Sequence, residues 1–254
     1  MELGDFTQLA RYYVHRPAYS EILVSALLKH VDFRPADFKV ADIGAGTGKL
    51  TKMLLERGVS VVAVEPNDAM REEGVRFTSD YAVSWIKGSG EATNLQSDEY
   101  NWVVMASSFH WTNPQRSLTE FHRILKRGGY FTAVWNPRNL EGSELHSSIE
   151  DRIYSIVPHL QRVSSGSRSH TKKWEEILIS TGHFKDVVFM EVDYVERMSR
   201  ERYMGIWNSV NDIRSQAGEH NWEKIVKAIE DEIADLDNIE VPYKNRAWTA
   251  QRVG

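Results

Sequence analysis

The chain of 254 residues carries 31 Lys and Arg against 36 Asp and Glu, a formal net charge of −5. A domain that grips phosphate backbones carries an excess of positive charge, so nucleic acid is not an expected partner. There is no cysteine, which excludes disulfides, cysteine-held metals and thiol nucleophiles and points to a reducing, cytoplasmic setting.

The N-terminal MELGDFTQLARYY lacks the basic start and apolar stretch of a secretory signal, and no run approaches the roughly eighteen apolar residues of a membrane helix. No membrane partner is expected. Pro17–Val31 reads as a helix with Ile22, Leu23, Ala26, Leu27 and His30 along one side. Residues 39–136 then alternate short apolar runs with amphipathic stretches, the pattern of parallel strands joined by crossover helices. The strands are expected at Val40–Ile43, Val59–Val64, Ala82–Ile86, Trp102–Ala106 and Tyr130–Trp135, nearly continuous apolar runs suited to a sheet covered on both faces. Between them, Leu50, Met53 and Leu54 make a helical face stopping at Gly58, and a second helix fits Asn67–Phe77, capped by Asn67 or Asp68. A third starts with Asn113 as cap and Pro114 at its first position, points Leu118, Phe121 and Leu125 inward and ends at Gly128.

Leu145, Ile149, Ile153 and Ile156 repeat at helical spacing. The Ser-rich, basic stretch Val163–Lys173, with Arg162 and Arg168, reads as a loop. A short helix at Trp174–Gly182, a strand at Val187–Val195 and a closing strand at Asn245–Arg252 follow. Residues 199–239 interrupt this strand pair with two helical patterns, one on Tyr203, Ile206, Trp207 and Val210, the other on Trp222, Ile225, Ile229 and Ile233. They read as a helical insertion forming a lid. The expected organisation is an N-terminal helical cover (1–38), a core (39–198 and 240–254) and the lid (199–239).

The most informative segment is ADIGAGTGKLT, Ala41–Thr51, which follows a strand and opens a helix. Gly44 and Gly46 permit backbone angles and close ligand approach that a side chain blocks, and the next helix offers amides at its N-terminus. Two nucleotide-like ligand classes use such a turn. A dinucleotide fingerprint wants glycine at the sixth position from Gly44, where this chain has Lys49, and the turn is preceded by Asp42. A carboxylate there repels a pyrophosphate and suits the ammonium group of a methionine moiety. Glu65, at the carboxyl edge of the second strand in AVEP, is placed to accept ribose hydroxyls, a feature common to both classes. In GSGEATNL, Ser89, Gly90 and Glu91 stand where an adenine edge falls, although Glu91 equally suits a helix cap.

These residues resemble the class I S-adenosylmethionine-dependent methyltransferases, in particular the small-molecule branch that includes trans-aconitate methyltransferase and the quinone-biosynthesis C-methyltransferases. The likeness rests on ARYYVHRPAYSEIL, VADIGAGTGKLT, VVAVEP, GSGEATNL, SSFHWTNPQRSLTEFHRILKRGGYF and VPYKNRAWTAQR. It implies an α/β, Rossmann-like seven-stranded sheet of order 3-2-1-4-5-7-6, with helices on both faces and an antiparallel last strand. It further implies that S-adenosyl-L-methionine is the cofactor, with Asp42, Gly44, Ala45 and Gly46 around its methionine part, Glu65 at the ribose and Ser89–Glu91 at the adenine. Ser107, heading SSFHW, joins the cofactor set. Tyr13 and Arg16 fold over the cofactor and meet its carboxylate. Gly90 and Asn94 depart from the commoner alanine and Leu-Pro at the adenine segment.

Methyl transfer from a sulfonium is an in-line displacement, for which positioning supplies roughly 7 to 11 kcal/mol. A carboxylate acceptor needs no general base. A hydroxyl, amine or carbon acid needs one, for which His110 and Tyr13 are the candidates, and His110 equally reads as packing that shapes the pocket. Trp111, Trp135, Asn136 and Trp207 are candidate acceptor contacts, and the tryptophans equally read as core. No metal is expected. An NAD-dependent oxidoreductase and a non-catalytic S-adenosylmethionine-binding regulator remain open alternatives.

Overall fold

A computed structural model describes residues 10–140, 142–161 and 173–254. Of the loop expected at Val163–Lys173, all but Lys173 lies outside the described residues, as does Arg162. The chain forms two compact units, one of Ala18–Asn136, Ser165–Val192 and Asn245–Gly254, the other of Met1–Pro17, Pro137–Ser164 and Asp193–Lys244.

The first unit is built on a seven-stranded sheet. The strands are β1 (Lys39–Ile43), β2 (Ser60–Val64), β3 (Ser84–Ile86), β4 (Tyr100–Ala106), β5 (Leu125–Trp135), β6 (Phe184–Ser199) and β7 (Asn238–Arg252), in the order β3-β2-β1-β4-β5-β7-β6. β1 to β5 pair in parallel, and β7 runs antiparallel to β5 with Tyr130 opposite Gln251 and Trp135 opposite Arg246. The order implied by the family resemblance is therefore present.

Period-two alternation splits the strand residues between two cores. Ala41, Ile43, Val103, Met105, Phe131 and Ala133 face Leu118, Phe121 and Ile124 of one helix, α5 (Pro114–Ile124), with Trp174 and Leu178 of another, α7 (Trp174–Ile179). Val40, Trp102, Val104 and Val134 face the opposite way, onto α2 (Glu21–His30) and α3 (Lys49–Leu55). Burial on both faces is why these strands read as unbroken apolar runs.

Two expected helices differ in detail. α2 starts at Glu21, and its buried stripe is Leu23, Val24, Leu27 and Leu28, leaving Ile22 67% exposed. The stripe is turned by about one residue, so that Val24 and Leu28 are buried and Ile22 and Ala26 are not. α5 has its expected start, with the Asn113 side chain accepting from the Arg116 amide and Pro114 in the first turn. It stops at Ile124 and not at Gly128, because Leu125 already pairs with Tyr100 as the first residue of β5. Gly128, at φ +74°, lies inside that irregular strand start. α4 (Asp68–Phe77) is capped by Asn67, whose side chain accepts from the Met70 amide.

The second unit has its own core. α6 (Glu144–Ile156), α8 (Arg200–Asn208) and α9 (Asn211–Glu232) bring Ile149, Ile153, Ile206, Ile213, Trp222, Ile225 and Ile229 together with Ile239 and Val241 of β7. α9 breaks at Gly218, whose φ of 71° and ψ of 163° are not helical. The short α1 (Ala10–Tyr13) belongs to this unit, whereas α2 packs on the sheet.

Candidate functional site

The glycine turn leaves β1 at Ile43 and passes through three left-handed glycines, Gly44 (φ +64°), Gly46 (φ +59°) and Gly48 (φ +79°). At Gly44 the requirement is also steric, since a Cβ there would fall 2.7 Å from both Cβ and Oγ of Ser108. At Gly46 a Cβ would meet only Met70 Cε, at 3.4 Å, so the turn keeps an open cradle beside that residue. The Gly44 and Ala45 amides donate to Val64 O at 2.8 and 3.1 Å, tying the turn to the end of β2.

Two buried carboxylates stand at this turn. Glu65, 7% exposed, accepts from the Gly46 amide through Oε2 at 2.8 Å and from the Asn67 amide through Oε1 at 2.9 Å. Each oxygen keeps a further lone pair for a ligand donor. Asp42 is fully buried; its Oδ2 accepts from Thr51 Oγ1 at 2.6 Å, and its Oδ1 has no hydrogen-bond partner. Burial, reinforced by the nearby Glu65 charge and opposed by the Thr51 bonds, pushes Asp42 up to about 7. Burial likewise raises Glu65, against the two amides and Arg71, which lower it. A turn flanked by two strained carboxylates favours a ligand bearing cationic and hydroxyl donors and disfavours a diphosphate.

In the adenine segment, Ser89 and Ala92 form a tight bridge, with the Ser89 amide donating to Ala92 O at 2.9 Å. Glu91 Oε1 accepts from the Asn113 amide at 2.7 Å, so it serves the start of α5. Gly90 has a packing reason of its own, because a Cβ would fall 2.8 Å from Thr112 Cγ2. Glu91 thus serves the helix start, and Gly90 is required by packing alone.

At the end of β4, Ser107 takes the left-handed conformation (φ +59°), donates its amide to Val134 O at 2.7 Å and shares a 2.9 Å hydrogen bond with the Tyr19 hydroxyl. A non-glycine residue in that region is a strained position of the kind that gathers at functional sites. Ser108 Oγ donates to Ile43 O at 3.1 Å, locking β4 to the glycine turn.

His110 lies in the single 3-10 turn Phe109–Trp111. Trp135 Nε1 donates to its Nδ1 at 3.3 Å, which places the neutral ring's proton on Nε2. The exposed Trp111 ring sits 4.9 Å from the imidazole, centroid to centroid. Trp135 is 1% exposed, stacked at 4.5 Å on Trp174 and edge-on to Trp248. It is a core side chain that donates to His110. Asn136 is also committed: its Nδ2 donates to Ala18 O at 3.0 Å and its Oδ1 accepts from Asn245 Nδ2 at 2.7 Å. Asn245 Oδ1 in turn accepts from the Ser20 amide. This amide chain holds Ala18–Ser20 extended and sets Tyr19 against Ser107.

Tyr13, Arg16 and Trp207 fall in the helical unit. Arg16 donates to Ser209 Oγ at 2.9 Å and to Ser209 O at 3.0 Å, and its guanidinium lies 4.3 Å from the Tyr13 ring centroid. Trp207 is 1% exposed and packs beneath Arg138, 4.4 Å from its ring centroid. Sequence reading passed over Tyr19, Thr51, Ser108 and Asn245. Thr51 alone carried a signal, nine residues after Asp42 on the helix face next to β1. The others act through pairings between distant segments. A surface depression of about 720 Å³ along α5, lined by Ser97, Arg116, Glu120 and Arg123 among others, touches only Glu91 of the candidate residues. Its ion pair Glu120–Arg123, at 2.7 Å, is tied further to Thr93, Ser97 and Leu95 O. Among the described residues no cluster of three metal-ligating side chains occurs, and no helix is long and apolar enough to cross a membrane.

Residues 41–133 match the family described as "methyltransferase domain". An uncharacterized methyltransferase of Mycobacterium bovis is 35% identical over 139 residues, 55% of this chain and 54% of that protein. The chain spans about half the length of the curated relatives it first matches. A malonyl-[acyl-carrier protein] O-methyltransferase of Paenibacillus is 23% identical over 219 residues, 82% of this chain and 75% of that one. A solved structure named as a type II methyltransferase from Anaeromyxobacter dehalogenans superposes with a TM-score of 0.64 at 20% identity, covering 94% of this chain and 98% of that one. Sheet order, glycine turn and sequence likeness agree: residues 41–133 match the methyltransferase domain, on a seven-stranded sheet of the order that the resemblance implies.

Proposed function

We propose that this protein uses S-adenosylmethionine to methylate a small-molecule acceptor at a carboxylate oxygen. The observation that carries the cofactor half is the open cradle at Gly46 between two buried carboxylates, one of them with an unpartnered oxygen. Asp42, Gly44, Ala45 and Gly46 would hold the methionine part and Glu65 the ribose hydroxyls. When bound, the cofactor supplies a methyl group on a sulfonium.

The chain's own contribution is alignment and exclusion of water, worth roughly 7 to 11 kcal/mol when reacting atoms are held in line. His110 supports a base-free acceptor: its basic lone pair, on Nδ1, is already taken by Trp135 Nε1–H. A nitrogen that carries its proton, as Nε2 then does, cannot remove another. The Paenibacillus relative, named for O-methylation of a malonyl group, agrees with an oxygen acceptor. Against a dinucleotide oxidoreductase stand Lys49 and the buried Asp42 before the turn. A small acceptor in the cytoplasm, without nucleic acid, fits the net charge of −5 and the absence of cysteine.

Calorimetry with S-adenosylhomocysteine tests the reading. Saturable binding that weakens at least about tenfold in Glu65→Ala is expected, as for loss of hydrogen bonds to a charged group. Binding of NADH in place of the thioether would overturn it.

A further inference from the structure

We propose that the helical unit contains an anion-binding site for a carboxylate, built by Arg138, His146, Tyr203 and Trp207. Among the buried side-chain atoms without a hydrogen-bond partner, three lie in this one cluster: His146 Nε2, the Tyr203 hydroxyl and Trp207 Nε1. All three residues are 1% exposed. Their rings are neighbours, with His146 6.0 Å and Trp207 6.3 Å from Tyr203, centroid to centroid, and Arg138 Cζ 4.4 Å above Trp207. Trp207 Nε1 is close to the Tyr203 hydroxyl, yet neither reaches normal hydrogen-bond geometry.

An unmade hydrogen bond leaves a buried polar group with its desolvation uncompensated. Three in one place are therefore more readily understood as donors awaiting a ligand than as packing accidents. The groups are donors: indole N–H and guanidinium cannot accept, and the phenol can donate. His146 Nδ1 shares a 2.6 Å hydrogen bond with Ser143 Oγ; in the tautomer in which Ser143 donates, Nε2 carries the proton and joins them.

The surrounding charge agrees. Among the described residues no carboxylate forms an ion pair with Arg138, and Arg16 adds positive charge felt, like that of Arg138, at Tyr243. Of the carboxylates near the cluster, Glu196 is paired with Arg202 at 2.6 Å, and Glu150 acts on Tyr203. A planar two-oxygen anion matches the guanidinium fork and leaves its outer lone pairs for the phenol and indole. Only the identification of this ligand as the methyl acceptor rests on the proposed function.

The test is a titration of the whole protein, followed by tryptophan fluorescence, with succinate and phenylacetate, their primary amides, and inorganic phosphate. Saturation by a carboxylate and not by its amide is expected. Arg138→Gln should weaken it at least about tenfold, the usual loss for a charge-assisted pair. Tyr203→Phe should weaken it severalfold while leaving the melting temperature unchanged or higher, since it removes an unpartnered buried hydroxyl. The inference is overturned if no carboxylate saturates below about 10 mM, if amides or phosphate bind as well, or if both variants bind like the parent. S-adenosylhomocysteine binding, measured separately, shows whether the methyltransferase reading fails instead.

Discussion

Replacing Asp42 by Asn should make the ligand-free protein more stable and the ligand-bound protein less so. Asp42 is fully buried at the end of β1, and its carboxyl is raised from 3.8 to about 7 mainly by desolvation. A carboxyl raised on folding contributes stability that is complete below its unfolded value and is lost as pH rises through its folded value. At about 1.4 kcal/mol for each pH unit between those two values, about 4 kcal/mol is lost above pH 7. Asn keeps the shape and can still accept from Thr51 Oγ1, but it never ionises. Urea unfolding of both proteins from about pH 4.5 to about pH 8.5 should therefore show a stability difference in favour of the variant that grows by about 3 kcal/mol and levels off above pH 7. Affinity for S-adenosylhomocysteine, which carries an ammonium group, should fall in the variant. A difference that stays flat with pH, or a parent more stable than the variant at the alkaline end, would refute the idea that Asp42 is held as a strained acid for a cationic ligand.

Gly44→Ala should destabilise the fold by about 1–2 kcal/mol from the left-handed backbone alone, with more from the contact with Ser108, whereas Gly46→Ala should cost the backbone term only while impairing thioether binding; thermal unfolding and calorimetry separate the two. Asn245→Ala removes the acceptor of the buried Ser20 amide and should lower stability by about 1–3 kcal/mol, with faster hydrogen exchange at Ala18–Ser20. Trp135→Phe removes the donor to His110 Nδ1; thioether affinity should stay within about twofold while the nitrogen-15 shifts of the two ring nitrogens change, and unchanged shifts would show that the Trp135 bond does not set the tautomer.

The parallel strands and their crossover helices were legible because their signals are local. Val40–Ile43, Val59–Val64 and Trp102–Ala106 are short apolar runs bounded by turn residues, and Asn113–Pro114 announces a helix start whatever surrounds it. The glycine turn was readable for the same reason, since left-handed backbone at Gly44 and Gly46 leaves its mark on residue type. Where the outcome depended on which of two adjacent faces meets the sheet, local periodicity was not enough. α2 buries Val24 and Leu28 and leaves Ile22 exposed, a choice between adjacent apolar faces that its own residues left open. α5 gave up its last expected turn to strand pairing at Leu125.

Residue types along β1 and the turn after it were enough to mark an acidic, glycine-lined cradle, because backbone conformation and charge there are set within a dozen neighbouring residues. Whether Glu91 caps a helix, whether Trp135 lines a pocket or holds His110, and whether three polar groups of the helical unit end up without partners were decided only by tertiary packing. Each of those outcomes depends on a partner from a distant segment, and a buried hydrogen bond is made or missed according to what the folded chain brings within about 3 Å of it.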